Sequence, residues 1–158
     1  MPKFTNEDVM IVECIEPLDI TGAAKDGNYV SLKNAGHVTI VINTGAWAGG
    51  TSAVTINQAS DVSATGEKAL GFSVMYTNDG ATTASALTST AVTSNTFNLD
   101  TANSMYVIEI PADTLDVDND FDCIQLALGS PGANADLVSA TYVLSHTSHL
   151  GDTAPLSD

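Results

Sequence analysis

Arginine is absent from this chain, and lysine occurs only at Lys3, Lys25, Lys33 and Lys68. Nucleic acids and anionic lipids are held by clustered cations that displace counterions from phosphates, and four scattered lysines form no such cluster, so neither is an expected partner. No run of about 18 apolar residues exists to span a bilayer as a helix. The two cysteines, Cys14 and Cys123, each sit inside an apolar run and lack CxxC spacing. Reduced, buried thiols are therefore expected, in preference to a disulfide, a metal pair or a redox motif. The opening MPKFTNEDV has no basic-then-apolar leader, so the expectation is synthesis in the cytoplasm and a soluble product.

Catalytic signatures are missing as well. There is no GxSxG elbow and no glycine loop ending in Lys and Ser or Thr, and without arginine an anionic substrate has no bidentate clamp. No pair of carboxylates is singled out for glycosidase chemistry. The expectation is a protein that is not an enzyme and carries no cofactor. Helical periodicity is also absent, apart from one turn at ADTLD, residues 112–116.

What is present is acid. Nineteen Asp and Glu against four Lys give a formal net charge of −15 at pH 7, which repels polyanions and keeps the protein dispersed. The 158 residues suit one domain, and a chain of this size buries roughly 70% of its unfolded surface. Hydrophobic residues make up 44%, and the uncharged polar remainder is Thr, Ser and Asn, which favour pleated surfaces and turns over helices.

Short apolar runs separated by Pro, Gly, Asn and Asp then read as strands. The clearest are SMYVIEI, FDCIQLALG and LVSATYVLS within Ser104 to Ser145, GHVTIVIN at 36–43 and SAVTINQ at 52–58. VMIVECI, 9–15, reads as a strand covered on both faces, and ALGFSVMYT, 69–77, as a single strand. Tyr29 to Lys33 adds a short one, and the Ala/Ser/Thr segment 81–96 reads as an edge strand and loop, or as a surface that another subunit covers. Alternation assigns Val38, Ile40, Ile42, Val54, Ile56, Val107, Ile124, Leu126 and Val143 to the core. The expected fold is all-β: an antiparallel, jelly-roll-like sandwich over 9–145, with an N-terminal arm at 1–8 and a C-terminal tail at 146–158.

Three features invite chemistry. Asp113, Asp116, Asp118, Asp120 and Asp122 suggest calcium, but a hand-type loop starting at Asp116 puts Phe121 where Gly belongs and Ala127 where Glu belongs. A solvated turn is expected there, with a calcium site of another geometry as the alternative. His146 and His149 lie three apart in a segment that reads as extended, with His37 elsewhere, so they are expected to be exposed tail residues and not zinc ligands. Trp47, in the glycine-rich link TGAWAGGTS, is expected to cap the sandwich end, ligand stacking being the alternative.

As whole strings, YVSLKNAGHVTIVINTGAWAGGTSAVTINQASDVSATGEKALGF, VTSNTFNLDTANSMYVIEI and LDVDNDFDCIQLALGSPGANADLVSATYVLS resemble a family of small virion structural proteins of tailed bacteriophages and prophages. The resemblance covers about residues 10–145. Relatives tend to carry Gly at the position of Asp120 and a basic residue at that of Gln125. The resemblance implies a head-decoration, or cement, protein on the capsid exterior, made in the host cytoplasm. Its implied partners are the major capsid protein and copies of itself, a trimer being favoured. Candidate partner contacts are Pro2, Lys3, Phe4, Trp47, His146 and His149. The alternative is a β-sandwich binding module that recognises carbohydrate or a host surface.

Overall fold

The computed structural model describes residues 9–80 and 86–145. Among these residues are twelve strands: β1 (Val9–Asp19), β2 (Lys25–Asp26), β3 (Val30–Ser31), β4 (His37–Trp47), β5 (Ser52–Ala59), β6 (Lys68–Ala69), β7 (Val74–Asn78), β8 (Thr88–Ala91), β9 (Phe97–Leu99), β10 (Met105–Pro111), β11 (Cys123–Leu128) and β12 (Asp136–Ser145). Two 3-10 turns, Ala112–Thr114 and Val117–Asn119, separate β10 from β11. The expected turn at ADTLD is the first of them. No helix among the described residues is long and apolar enough to cross a membrane.

All pairings are antiparallel. The first sheet has the order β1-β12-β4-β10-β7-β8, and the second β2-β11-β5-β6, with β3 also on β11 and β9 also on β5. Followed along the chain, β1, β4, β10 and β12 fall in the first sheet, while β2 with β3, β5 with β9, and β11 fall in the second. This alternation, with first and last strands adjacent, is the jelly-roll arrangement of an antiparallel sandwich, and β7–β8 extend its first sheet.

One core lies between the sheets. From the first it takes Val38, Ile40, Ile42, Tyr106, Ile108, Ile110, Val138, Ala140, Tyr142 and Leu144, and from the second Val54, Ile56, Ile124, Leu126 and Leu128. Each fully buried Ile or Leu contributes roughly 1.5–3 kcal/mol relative to exposure. Alternation therefore locates β4, β5 and β11 as expected.

Four expectations change. Val143 is half-buried on the outer face, while Tyr142 and Leu144 point inward. Val107 is buried, but between Val41 and Tyr76 on the outer face, because Tyr106 and Ile108 take the inward positions. β1 is not covered on both faces: it is an edge strand whose Ile11 is 57% exposed and whose Glu13 is also exposed. The expected strand over 69–77 is two, since β6 belongs to the second sheet and β7 to the first, with the chain crossing between them at 70–73. The segments expected as terminal arms, and with them Pro2, Lys3, Phe4, His146 and His149, lie outside the described residues.

Tyr142 wins the inward position in β12 because its hydroxyl finds partners in the opposite sheet. β3 pairs with β11 at Cys123 and Ile124, and β2 at Ala127 and Leu128, which leaves a gap opposite Leu126. Tyr142 Oη accepts the Leu126 N–H at 2.8 Å and donates to the Asn28 carbonyl at 3.1 Å. Gly27 N–H donates to the Leu126 carbonyl at 2.8 Å. A Cβ on Gly27 would lie 2.5 Å from Cys14 Sγ, so only glycine lets the chain bend this close. Burial pushes the Cys14 thiol up to about 12 and the Tyr142 phenol well above its ordinary 10, so both stay protonated. Cys14 and Cys123 are both buried, and neither is in a disulfide.

Replacing Tyr142 by Phe keeps the ring but strands the buried Leu126 N–H. Urea denaturation should show a loss of about 1–3 kcal/mol with an unchanged slope. A loss below about 0.5 kcal/mol would mean the bridge contributes nothing net.

Candidate functional site

The sandwich has two ends of different character. At one, the turns between β3 and β4, β5 and β6, and β10 and β11 come together: Leu32 N–H reaches the Asp122 carbonyl and Ala112 N–H the Gly36 carbonyl. Asp61, Glu67, Asp113, Asp116, Asp118, Asp120 and Asp122 gather on these turns. The turn structure is held by specific contacts. The Asp61 carboxylate accepts from Ser63 and Thr65 N–H at 2.8 and 3.1 Å, and Glu67 accepts from Tyr29 Oη at 2.6 Å. Asp116 pairs with Lys68, accepts from Asn119 Nδ2 at 2.8 Å, and donates its own N–H to buried Gln58 at 2.9 Å. Lys68 Nζ also sits 4.1 Å above the Phe121 ring, a cation–π contact.

The calcium reading meets this geometry badly. Asp116, the would-be first ligand, already has both oxygens engaged by Lys68 and Asn119. Among the described residues no three His, Cys, Asp or Glu side chains come together as a metal site.

At the opposite end, Asp136 is fully buried, and sequence reading missed it. Its Oδ1 accepts from Ala48 N–H at 2.6 Å and Gly49 N–H at 3.3 Å, clamping the β4–β5 turn. Its N–H donates to Asp19 Oδ1 at 3.1 Å, which Thr21 also engages through N–H and hydroxyl. Gly50 adopts φ +82°, and a Cβ there would lie 2.2 Å from the Pro131 carbonyl. This turn brings Trp47 against the core, half-buried, with Nε1 donating to the Gly50 carbonyl at 3.2 Å. The cap expected of Trp47 is what its packing shows.

The third region is the outer face of the first sheet. Cross-strand register sets Ile11, Val143, Thr39 and Glu109 in one row, and Glu13, Thr141, Val41, Val107 and Tyr76 in the next. Met105, Asn43 and Ser139 form a third. In a chain of −15, the carboxylates that register places on this face are Glu13, Glu109 and, opposite Leu137, Asp19, with Glu16 also exposed on β1. Ile11, Met105 and Leu137 stand exposed on it at 57%, 38% and 44%. An open groove of about 440 Å³ runs beside Leu137, lined by Pro17, Leu18, Asn43, Gly45 and Ser139. The face is less acidic than the turn cluster, partly apolar and built on paired strands.

The carboxyls of Asp19, Asp61 and Asp116 are held below the ordinary 3.8, the first two by Thr21 and Thr65, the third by Lys68. Depressed folded values add stability above the unfolded pKa that is lost as pH falls through the folded one. Opposing this, self-repulsion fades as pH drops toward the isoelectric point near 4.1. The urea midpoint should thus hold or rise from pH 7 to about 4 and fall below it; a decline starting above pH 5 would contradict this. Separately, Asp136→Ala removes the acceptor of Gly49 N–H and leaves Ala48 N–H only its 3.2 Å bond to the Ala135 carbonyl. A loss of about 1–3 kcal/mol is expected in the same titration.

The chain matches no protein-family model and no curated protein, so charge, exposure and strand geometry carry the functional reading.

Proposed function

We propose that this protein decorates the outside of a bacteriophage head, binding the major capsid protein in many copies and stabilising the shell without catalysis. The observation that carries this reading is the partition of charge. Seven carboxylates, Asp61, Glu67, Asp113, Asp116, Asp118, Asp120 and Asp122, sit on the turns at one end, while the outer face of the first sheet carries fewer, Glu13, Asp19 and Glu109 in its register rows, with Ile11, Met105 and Leu137 exposed. A partly apolar patch rimmed by polar groups is what a protein contact uses. The acidic end then faces solvent, and the absence of arginine costs nothing, because the DNA lies on the other side of the shell. The resemblance of the strand-and-turn strings to virion structural proteins points the same way. The carbohydrate-binding alternative has less support: the Trp47 ring packs on the core and its N–H is engaged by Gly50, which leaves it poorly placed as a stacking platform.

Co-sedimentation with heads that lack the protein tests this. Wild-type protein should bind saturably, and Met105→Glu with Leu137→Glu should weaken binding at least tenfold. Asp113→Asn with Asp118→Asn should leave it unchanged. Undecorated heads should release DNA at lower temperature than decorated ones. Absence of binding at any concentration would end the decoration reading, and loss of binding from the acidic-end variants alone would move the contact there.

A further inference from the structure

The sandwich has open sheet edges, and they are defended unequally. An unpaired strand edge is a template for another chain, and proteins blunt it with charge, proline, bulges or brevity. β1 has all of the first three: Glu13 and Glu16, Pro17, and register shifts after Glu13 and after Ile15. The second sheet ends in strands of two or three residues, two of them bearing Lys25, Asp26 and Lys68. Among the described residues β8 has none of the first three. It is the terminal strand of the first sheet among them, pairs in unbroken register with β7, and exposes Thr88, Ser89, Thr90 and Ala91 alike. Between Asp79 and Asp100 the sequence carries no ionisable side chain.

We infer that β8 is a self-association edge, where a second copy of this chain adds its own β8 antiparallel about a twofold axis. The inference is independent of what the outer face binds.

Hydrogen-bond parity defines the pairing. Val92 N–H donates to the Ser73 carbonyl at 2.8 Å, so Val92 is in a hydrogen-bonded pair. In an antiparallel ladder such pairs alternate, and Thr90 opposite Met75 and Thr88 opposite Thr77 are the next two inward-bonded positions. Ser89 and Ala91 therefore direct both N–H and C=O away from β7. With a twofold axis through Thr90, Ser89 of each copy exchanges both bonds with Ala91 of the other, and Thr90 faces Thr90, a favourable cross-strand pair.

Charge selects the occupant. A basic partner would be drawn to the acidic turns and has no reason to choose the uncharged edge. A partner of the same large negative charge can approach only where that charge is absent, and a second copy is such a partner. Its edge also matches in register by symmetry. Four-residue strands bury far less than the roughly 1,200 Å² of a stable complex, so the dimer should be weak in free solution and reinforced when copies are held side by side.

Sedimentation equilibrium of the full chain tests the inference. From about 10 μM to about 1 mM, the mean mass should climb from 16.3 kDa toward twice that, more readily in high salt, which screens repulsion. Ser89→Pro deletes only an outward N–H, and Ser89→Lys places like charges together; each should hold the protein monomeric with an unchanged circular dichroism spectrum. Should the proline variant misfold, the lysine variant decides. A monomer at every concentration, a trimer mass, or association unaffected by both substitutions would overturn the inference. So would Ser89→Lys abolishing head binding while leaving self-association intact, since that would give the edge to the shell. Failure of wild-type protein to bind heads would leave the dimer untouched.

Discussion

One buried hydroxyl ties the two layers of this sandwich together. Hydrophobic contact between sheets is non-directional, and alone it would tolerate a slip of β12 along its neighbours. The Tyr142 phenol does not tolerate one: it must meet Leu126 N–H and the Asn28 carbonyl at hydrogen-bond distance. Either partner left unmade in that apolar setting costs more than the bond itself returns. The break between β2 and β3 creates the space for it, and Gly27 makes that break possible. Because side-chain period in a strand is two, fixing Tyr142 inward sends Thr141 and Val143 outward. The outward residues of β12 follow from this one anchor.

The acidic composition has a structural pattern beyond solubility. Carboxylates collect where turns need acceptors for backbone N–H groups, as Asp61 does for Ser63 and Thr65. The lysine nearest them is held doubly, by Asp116 and by the Phe121 ring. At the other end Asp136 does a similar task in burial, clamping Ala48 and Gly49. Acid is thus concentrated on the turns at one end, while Glu13, Glu16 and Asp19 on β1, Asp26 on β2, Glu109 on β10 and Asp136 on β12 are spread over the strands.

Much of this was legible in the chain itself. Val38, Ile40 and Ile42 alternate with polar neighbours, and breakers flank each run, so strand type, antiparallel class and the core of β4, β5 and β11 follow from periodicity. The turn at ADTLD was legible too, as was the burial of both cysteines. Runs with apolar residues on both parities were not. In Tyr106–Val107–Ile108 and in Tyr142–Val143–Leu144 either face reads as core, and only the partner strands choose. Asp136 gave no signal, because a lone aspartate before a strand looks like any turn residue until the β4–β5 turn packs against it.

The sequence by itself determined that the chain is acidic, β-rich and one sandwich in character, since these depend on composition and on a period of two. Only the tertiary structure decided which face of β12 is inside, that β1 is an edge, and that the 69–77 run divides between sheets. Those outcomes depend on long-range partners: a hydroxyl meeting an amide across the core, a bulge beside Pro17, a crossing at residues 70–73. No local pattern encodes them, because they are set by strand partners elsewhere in the chain, as when Tyr142 meets Leu126 16 positions and Asn28 114 positions away.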